Sequence, residues 1–312
     1  MTRTAVCLMG PTASGKTDIA IRLCKRFSFD VISVDSALVY RGMDIGTAKP
    51  DAATLERTPH RLVDIRDPEE PYSAGEFVRD AHQAMDEIFA AGRIPFLVGG
   101  TMMYFRALTQ GIAALPSADV DVRRQIDAEA QAAGWPSLHA DLARIDAQTA
   151  ARLNPNDSQR IQRALEVYRL SGVPLSEWHE QARAEKPDSD IRFIKVAVQP
   201  EPREILHERI EQRLNVMINN GFLDEVNVLR KRENLTRDAS SMRAVGYRQF
   251  WTHALGECSL EEASYKALVA TRQLAKRQIT WLRSDESIKC FDPLLTDVID
   301  SISGFLIPFF DA

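Results

Sequence analysis

The apolar run Ala5 to Met9 stops at Gly10, as a buried parallel strand would. Behind it, Gly15 to Phe27 carries Ile19, Leu23 and Phe27 at helical spacing, so the first unit reads strand, loop, helix. Val31 to Val34 predicts a second strand ending at Asp35-Ser36, and Arg61 to Ile65 a third. Ser73 with Glu76 forms a capping box that opens a helix through Ala91, closed by Gly92. Ile94 to Val98 is a further strand, running into Gly99-Gly100-Thr101. Strands alternating with helices predict a mainly parallel α/β sheet with its ligands gathered at the strand C-termini.

The pattern changes between Pro116 and Pro187. Helical stretches rich in Ala, Arg and Asp, namely Val120 to Ala133, Ser137 to Ile145 and Ser158 to Leu170, replace the apolar strands. This predicts a helical insertion over 116–189 within a core formed by 1–115 and 190–312. Ile191 to Val198 returns the chain to the sheet. Helices follow over Pro202 to Asn219, Gly221 to Arg232, Ala244 to Leu255 and Leu260 to Leu282, and the apolar Ile302 to Phe310 is expected to pack onto the core.

Composition adds constraints. The 312 residues are 45% hydrophobic and 27% charged, enough for a sizeable core. The net charge of −5 lacks the overall basic excess of many nucleic-acid binders, so any RNA contact must come from local patches. Cys7, Cys24, Cys258 and Cys290 show no metal-ligand spacing, and reduced thiols in a cytoplasmic protein are expected. No stretch reaches the length of a membrane span or a signal sequence.

Gly10-Pro11-Thr12-Ala13-Ser14-Gly15-Lys16-Thr17 matches the phosphate-loop pattern between a strand and a helix. In such a loop backbone N–H groups wrap an anion, the lysine reaches an outer phosphate, and the Thr17 hydroxyl can ligate Mg²⁺. The pattern implies diphosphate binding without identifying the rest of the ligand, and an ATP-dependent small-molecule or nucleoside kinase would use the same loop. Asp35 at a strand end suits a metal ligand, a general base or a cap toward Ser36. The glycines of Gly99-Gly100-Thr101 permit close approach of a ligand, with Thr101 adding a hydroxyl, or form a plain strand-to-helix turn.

Basic residues cluster in three places: Arg272, Lys276, Arg277 and Arg283 around Trp281; Arg160 with Arg163; and Arg243 with Arg248 across Gly246-Tyr247. Positions 272, 276 and 283 share a helical face. One such cluster is an ordinary solvated surface, whereas three on an acidic protein point to a polyanionic partner. No aspartate-rich DDxxD stretch of the kind that ionises prenyl diphosphates through paired metals is present.

Taken together these residues resemble bacterial tRNA dimethylallyltransferases. The resemblance runs through Gly10 to Thr17, Asp35 to Leu38, Gly42 to Pro50, His60 to Asp67, Gly99 to Thr101, Gln159 to Arg163, Val245 to Arg248 and Lys276 to Arg283. It implies a P-loop NTPase-like fold and transfer of a dimethylallyl group from dimethylallyl diphosphate to the exocyclic N6 of the adenine 3′ of the anticodon. By the same carry-over Asp35 is the general base, and Lys16, Arg213 and Mg²⁺ on Thr17 steady the departing diphosphate. The adenine flips into a channel lined by Thr101, and the prenyl diphosphate enters from the other side. Contacts to the tRNA anticodon stem-loop fall to Asp35, Ser36, Ala37 and Leu38, to Thr101 and Arg123, and to Gln159, Arg160, Ile161, Gln162 and Arg163. Arg243, Ala244, Val245, Gly246, Tyr247 and Arg248, together with Lys276, Arg277, Gln278, Ile279, Thr280, Trp281, Leu282 and Arg283, complete the expected tRNA surface. A monomer is expected. The rivals are a P-loop kinase, an RNA-binding module with a nucleotide switch, and a transferase acting on free adenine nucleotides.

Overall fold

The computed structural model describes residues 3–111, 113–184 and 190–310, without the side chains of 183 and 184. Two compact units emerge, Met1–Thr109 with Ser189–Ala312, and Gln110–Asp188. The sequence pattern sets these junctions at 115/116 and 189/190.

The first unit is built on six strands: β1 (Arg3–Met9), β2 (Phe29–Val34), β3 (His60–Arg61), β4 (Ile94–Gly99), β5 (Ile191–Val198) and β6 (Lys289–Phe291). Their order is β3-β2-β4-β1-β5-β6, and every pairing is parallel. Alternate residues of β1 feed opposite faces of the sheet. Ala5, Cys7 and Met9 pack with Phe77, Ala81 and Met85 of the helix Ala74–Ala90, while Val6 and Leu8 meet Ile19 and Leu23 of the helix Lys16–Cys24 and Ile299 and Ile302 of the helix Val298–Leu306. Both faces of the sheet at β1 are therefore dry, which is why Ala5 to Met9 reads as a continuous apolar run.

Two strands depart from the sequence pattern. Arg61 to Ile65 contributes only Arg61 to β3, because Leu62 and Asp64 take positive φ angles of 63° and 56° that end the extended backbone. β6 is three residues long and largely exposed, so it carries no apolar run to detect. The capping box is present, with Ser73 and Glu76 each accepting the other's backbone N–H.

The second unit contains the helices Val120–Ala133, Trp135–Ile145, Ala147–Ala150, Ser158–Ser171 and Leu175–Ala184. Ile126, Leu138, Leu142, Ile161 and Leu165 form its core. Among the described residues, no helix is long and apolar enough to cross a membrane.

Candidate active site

β1, β2 and β4 lie side by side, and their C-terminal ends bring the phosphate loop, Asp35 and Gly99-Gly100-Thr101 together. The loop turns through left-handed backbone at Ala13 (φ 61°) and Gly15 (φ 88°) before the helix starts at Lys16. At Gly10 the chain passes so close to Val198 that a Cβ would lie 2.7 Å from its carbonyl oxygen. Lys16 Nζ donates to Pro11 O at 3.3 Å. Burial pushes the Lys16 pKa down to about 8, with Asp35 opposing that shift and Arg213 reinforcing it. Burial likewise lowers Arg213, and Asp35 again works the other way. Two cations and one carboxylate thus share a field.

Asp35 is half-buried at the end of β2. Its Oδ1 accepts from Ala37 N at 2.8 Å and Leu38 N at 3.3 Å and closes the turn through these two residues, so the side chain caps beyond Ser36 rather than toward it. Thr101 Oγ1 accepts from Ser36 N at 3.0 Å and ties the loops after β2 and β4 together. The close approach at Gly99 is made by protein, since a Cβ there would lie 2.0 Å from the Val34 carbonyl oxygen.

These groups open onto a cavity of about 500 Å³. Thr12, Lys16, Thr17, Asp35, Thr101 and Arg213 give it a polar region, and Met102, Leu214, Met217 and Phe222 an apolar one. Ile210, Arg213, Leu214 and Met217 lie at successive turns along one face of the helix Arg203–Asn219. Ser36, Ala37, Leu38, Arg243, Ala244, Val245, Gly246, Tyr247, Arg277, Gln278 and Trp281 also line the cavity, so most expected site residues of this unit converge.

Others do not. Arg248, Lys276, Thr280 and Arg283 are exposed outside the lining, whereas Ile279 and Leu282 point into the core. Arg272 pairs with Glu211 at 2.9 Å, so the positive face drawn through residues 272, 276 and 283 loses its first member. Arg106 instead approaches this surface, its guanidinium 5.6 Å from the Trp281 ring centre. Arg123 and Gln159 to Arg163 belong to the helical unit. There Ile161 is core, while Arg123 and Arg163 both bind the fully buried Glu166, at 2.8 and 2.7 Å. Burial would raise Glu166, but these two arginines and the Asp119 N–H hold it below its ordinary range.

The sequence pattern misses the role of Glu225. Its carboxylate accepts from three successive backbone N–H groups, Asp44 (2.9 Å), Ile45 (2.7 Å) and Gly46 (3.1 Å). The loop held this way places Gly46, Thr47, Ala48 and Pro50 on the cavity wall, and Arg213 Nη2 donates to Thr47 O at 3.2 Å. Lys49 is buried beneath it, paired with Asp44 and Asp64. Nothing periodic marks such a loop; its signal was confined to the Gly42 to Pro50 resemblance.

The IPP transferase family model matches residues 38–285, most of the chain. The chain belongs to the IPP transferase family. The family match begins after the phosphate loop, but similarity to individual members reaches further. The chain is 54% identical over 292 residues to tRNA dimethylallyltransferase 2 of Hahella chejuensis, covering 90% of this chain and 88% of that protein. The crystal structure of the full-length tRNA isopentenylpyrophosphate transferase of Bacillus halodurans superposes with a TM-score of 0.72 at 36% identity, covering 99% of this chain and 96% of that one. A eukaryotic dimethylallyltransferase acting on tRNA gives a TM-score of 0.76 at 25% identity, covering 98% of this chain and 79% of that one. These IPP transferases share the P-loop NTPase-like fold, and the parallel six-stranded sheet is its framework here.

Proposed function

We propose that this IPP transferase moves a dimethylallyl group from dimethylallyl diphosphate to the exocyclic N6 of the adenine 3′ of the anticodon in tRNA, releasing diphosphate. The observation that carries the reading is the cavity itself, where a phosphate loop and Arg213 lie beside Asp35 and an apolar wall. A kinase would use the same loop, and the relatives weigh against it, being named as transferases acting on tRNA.

The diphosphate lies on the loop N–H groups with Lys16 and Arg213 against its outer oxygens, where negative charge grows as the C–O bond breaks. The dimethylallyl group packs along Leu214 and Met217. An exocyclic adenine amine is a weak nucleophile because its lone pair is delocalised, and Asp35 takes its proton as the C–N bond forms. The adenine reaches Asp35 by leaving its stack, and Thr101 holds the Ser36 loop that borders its path.

Thr17 and the diphosphate oxygens would hold Mg²⁺. Thr17 lies on the cavity lining beside Lys16, where its hydroxyl would offer the ion a ligand at the phosphate loop. Such an ion supplies charge neutralisation to the leaving group. Arg243, Arg277 and Trp281 at the cavity, with Lys276 and Arg283 exposed beside them, provide the basic and stacking groups a tRNA loop requires.

Incubation with labelled dimethylallyl diphosphate and unmodified tRNA tests the proposal. Label in the RNA is expected, and phosphate transfer from ATP to a small acceptor without labelled RNA would replace it with the kinase reading.

A further inference from the structure

Gln278 stands on the helix Leu260–Arg283, among residues whose resemblance assigns them to RNA, yet both polar atoms of its side chain are engaged inside the protein. Its Oε1 accepts from Thr12 N in the phosphate loop at 2.9 Å, and its Nε2 donates to Gly100 O at 2.8 Å. The residue is only 8% exposed, and a Cβ at Gly100 would lie 2.7 Å from Nε2, so a side chain there would displace the amide. One residue further on, Thr101 Oγ1 accepts from Ser36 N, next to Asp35. A short chain of hydrogen bonds therefore runs from the phosphate loop through Gln278, Gly100 and Thr101 to the Asp35 turn.

We infer that Gln278 is a positioning residue that sets the distance between the diphosphate cradle and the base at Asp35. The inference rests on the transfer reaction proposed above. An amide is required because one end must accept and the other donate. A carboxylate would keep the bond to Thr12 and set an oxygen against Gly100 O, and a thioether would make neither bond. Because Gln278 occupies the Thr12 N–H, that group is withheld from the anion, and the residue acts on the loop's placement.

The test compares Gln278→Met, Gln278→Glu, Thr101→Val and the double variant Thr101→Val/Gln278→Met. Single-turnover prenyl transfer to tRNA is measured at saturating substrates, with separate binding of inorganic pyrophosphate and of tRNA. Wild-type transfer in the same assay tests the underlying reaction, so its failure is told apart from failure of this inference. Each Gln278 variant is expected to slow transfer about 10- to 100-fold, the effect of an ångström-scale misplacement, while both dissociation constants stay within about threefold. The double variant is expected to be no slower than the slower single one, because both substitutions cut the same chain. Should Gln278→Met fail to fold, Gln278→Glu, which keeps the Thr12 bond, still reads the split between rate and binding. Transfer within twofold of wild type, a loss confined to pyrophosphate binding, or additive effects in the double variant would each overturn the inference.

Discussion

The Glu225 carboxylate accepts the Tyr247 hydroxyl at 2.5 Å while also holding the backbone N–H groups of Asp44, Ile45 and Gly46. Burial first, and the adjacent carboxylate second, push the Tyr247 pKa upward, so the phenol stays protonated and remains a donor. Glu225→Gln leaves one acceptor oxygen for four donors. It is expected to lower stability by about 1 to 3 kcal/mol, read as a shift of the urea midpoint at unchanged slope. Transfer should slow as well, because the loop that includes Thr47 positions Arg213.

Asp35 has two tasks that substitution can separate. Asp35→Asn retains an acceptor for Ala37 N and Leu38 N but cannot take a proton. Transfer is expected to fall by about 10²- to 10⁴-fold, with tRNA affinity within a few-fold of wild type. Asp35→Ala also opens the turn and should weaken tRNA binding further than Asp35→Asn. Equal transfer by Asp35→Asn and wild type would remove the residue from proton transfer.

These residues show which parts of the site were legible in the sequence. The phosphate loop, Asp35 and Gly99-Gly100-Thr101 each end a largely apolar strand, and a dry parallel sheet writes itself into the chain as such runs. β6 and the Leu62 to Asp64 turn escaped because one is short and exposed and the other is set by local backbone, with no apolar period in either. The holding role of Glu225 and the internal bonds of Gln278, which the resemblance assigned to RNA, were hidden for another reason. Their partners are backbone groups distant in sequence, and a helical glutamate or glutamine on a polar face reads as solvated until its partner is in place.

Lys16 predicts a pH dependence. Its pKa near 8 in the unliganded site means that the ammonium is charged below that pH and neutral above it. Pyrophosphate affinity, taken as the ratio of wild type to Lys16→Met so that the ligand's own titration cancels, should be constant below pH 7. Above about pH 8 it should fall by up to tenfold per unit. A ratio that holds to pH 10 would place the lysine outside the anion's reach.

Arg123 binds Glu166 through Nε and Nη2, at 2.8 and 3.1 Å. Arg123→Ala should destabilise the helical unit by about 1 kcal/mol, the low end for a charged hydrogen bond, because the arginine is half exposed. Glu166 titrates below its ordinary range when folded, so this contribution is complete above the unfolded value near pH 4.3. It is lost as the pH falls through the lower folded value. Urea unfolding of both proteins at pH 7 and pH 3 checks the sign: the difference between them should shrink at the lower pH.

The central claim is tested most directly by digesting tRNA after reaction with dimethylallyl diphosphate and identifying the modified nucleoside, with released diphosphate measured in parallel. The account predicts one dimethylallyl group on N6 of the adenine 3′ of the anticodon for each diphosphate released. Diphosphate release without RNA modification, or modification at another atom or nucleotide, would contradict it.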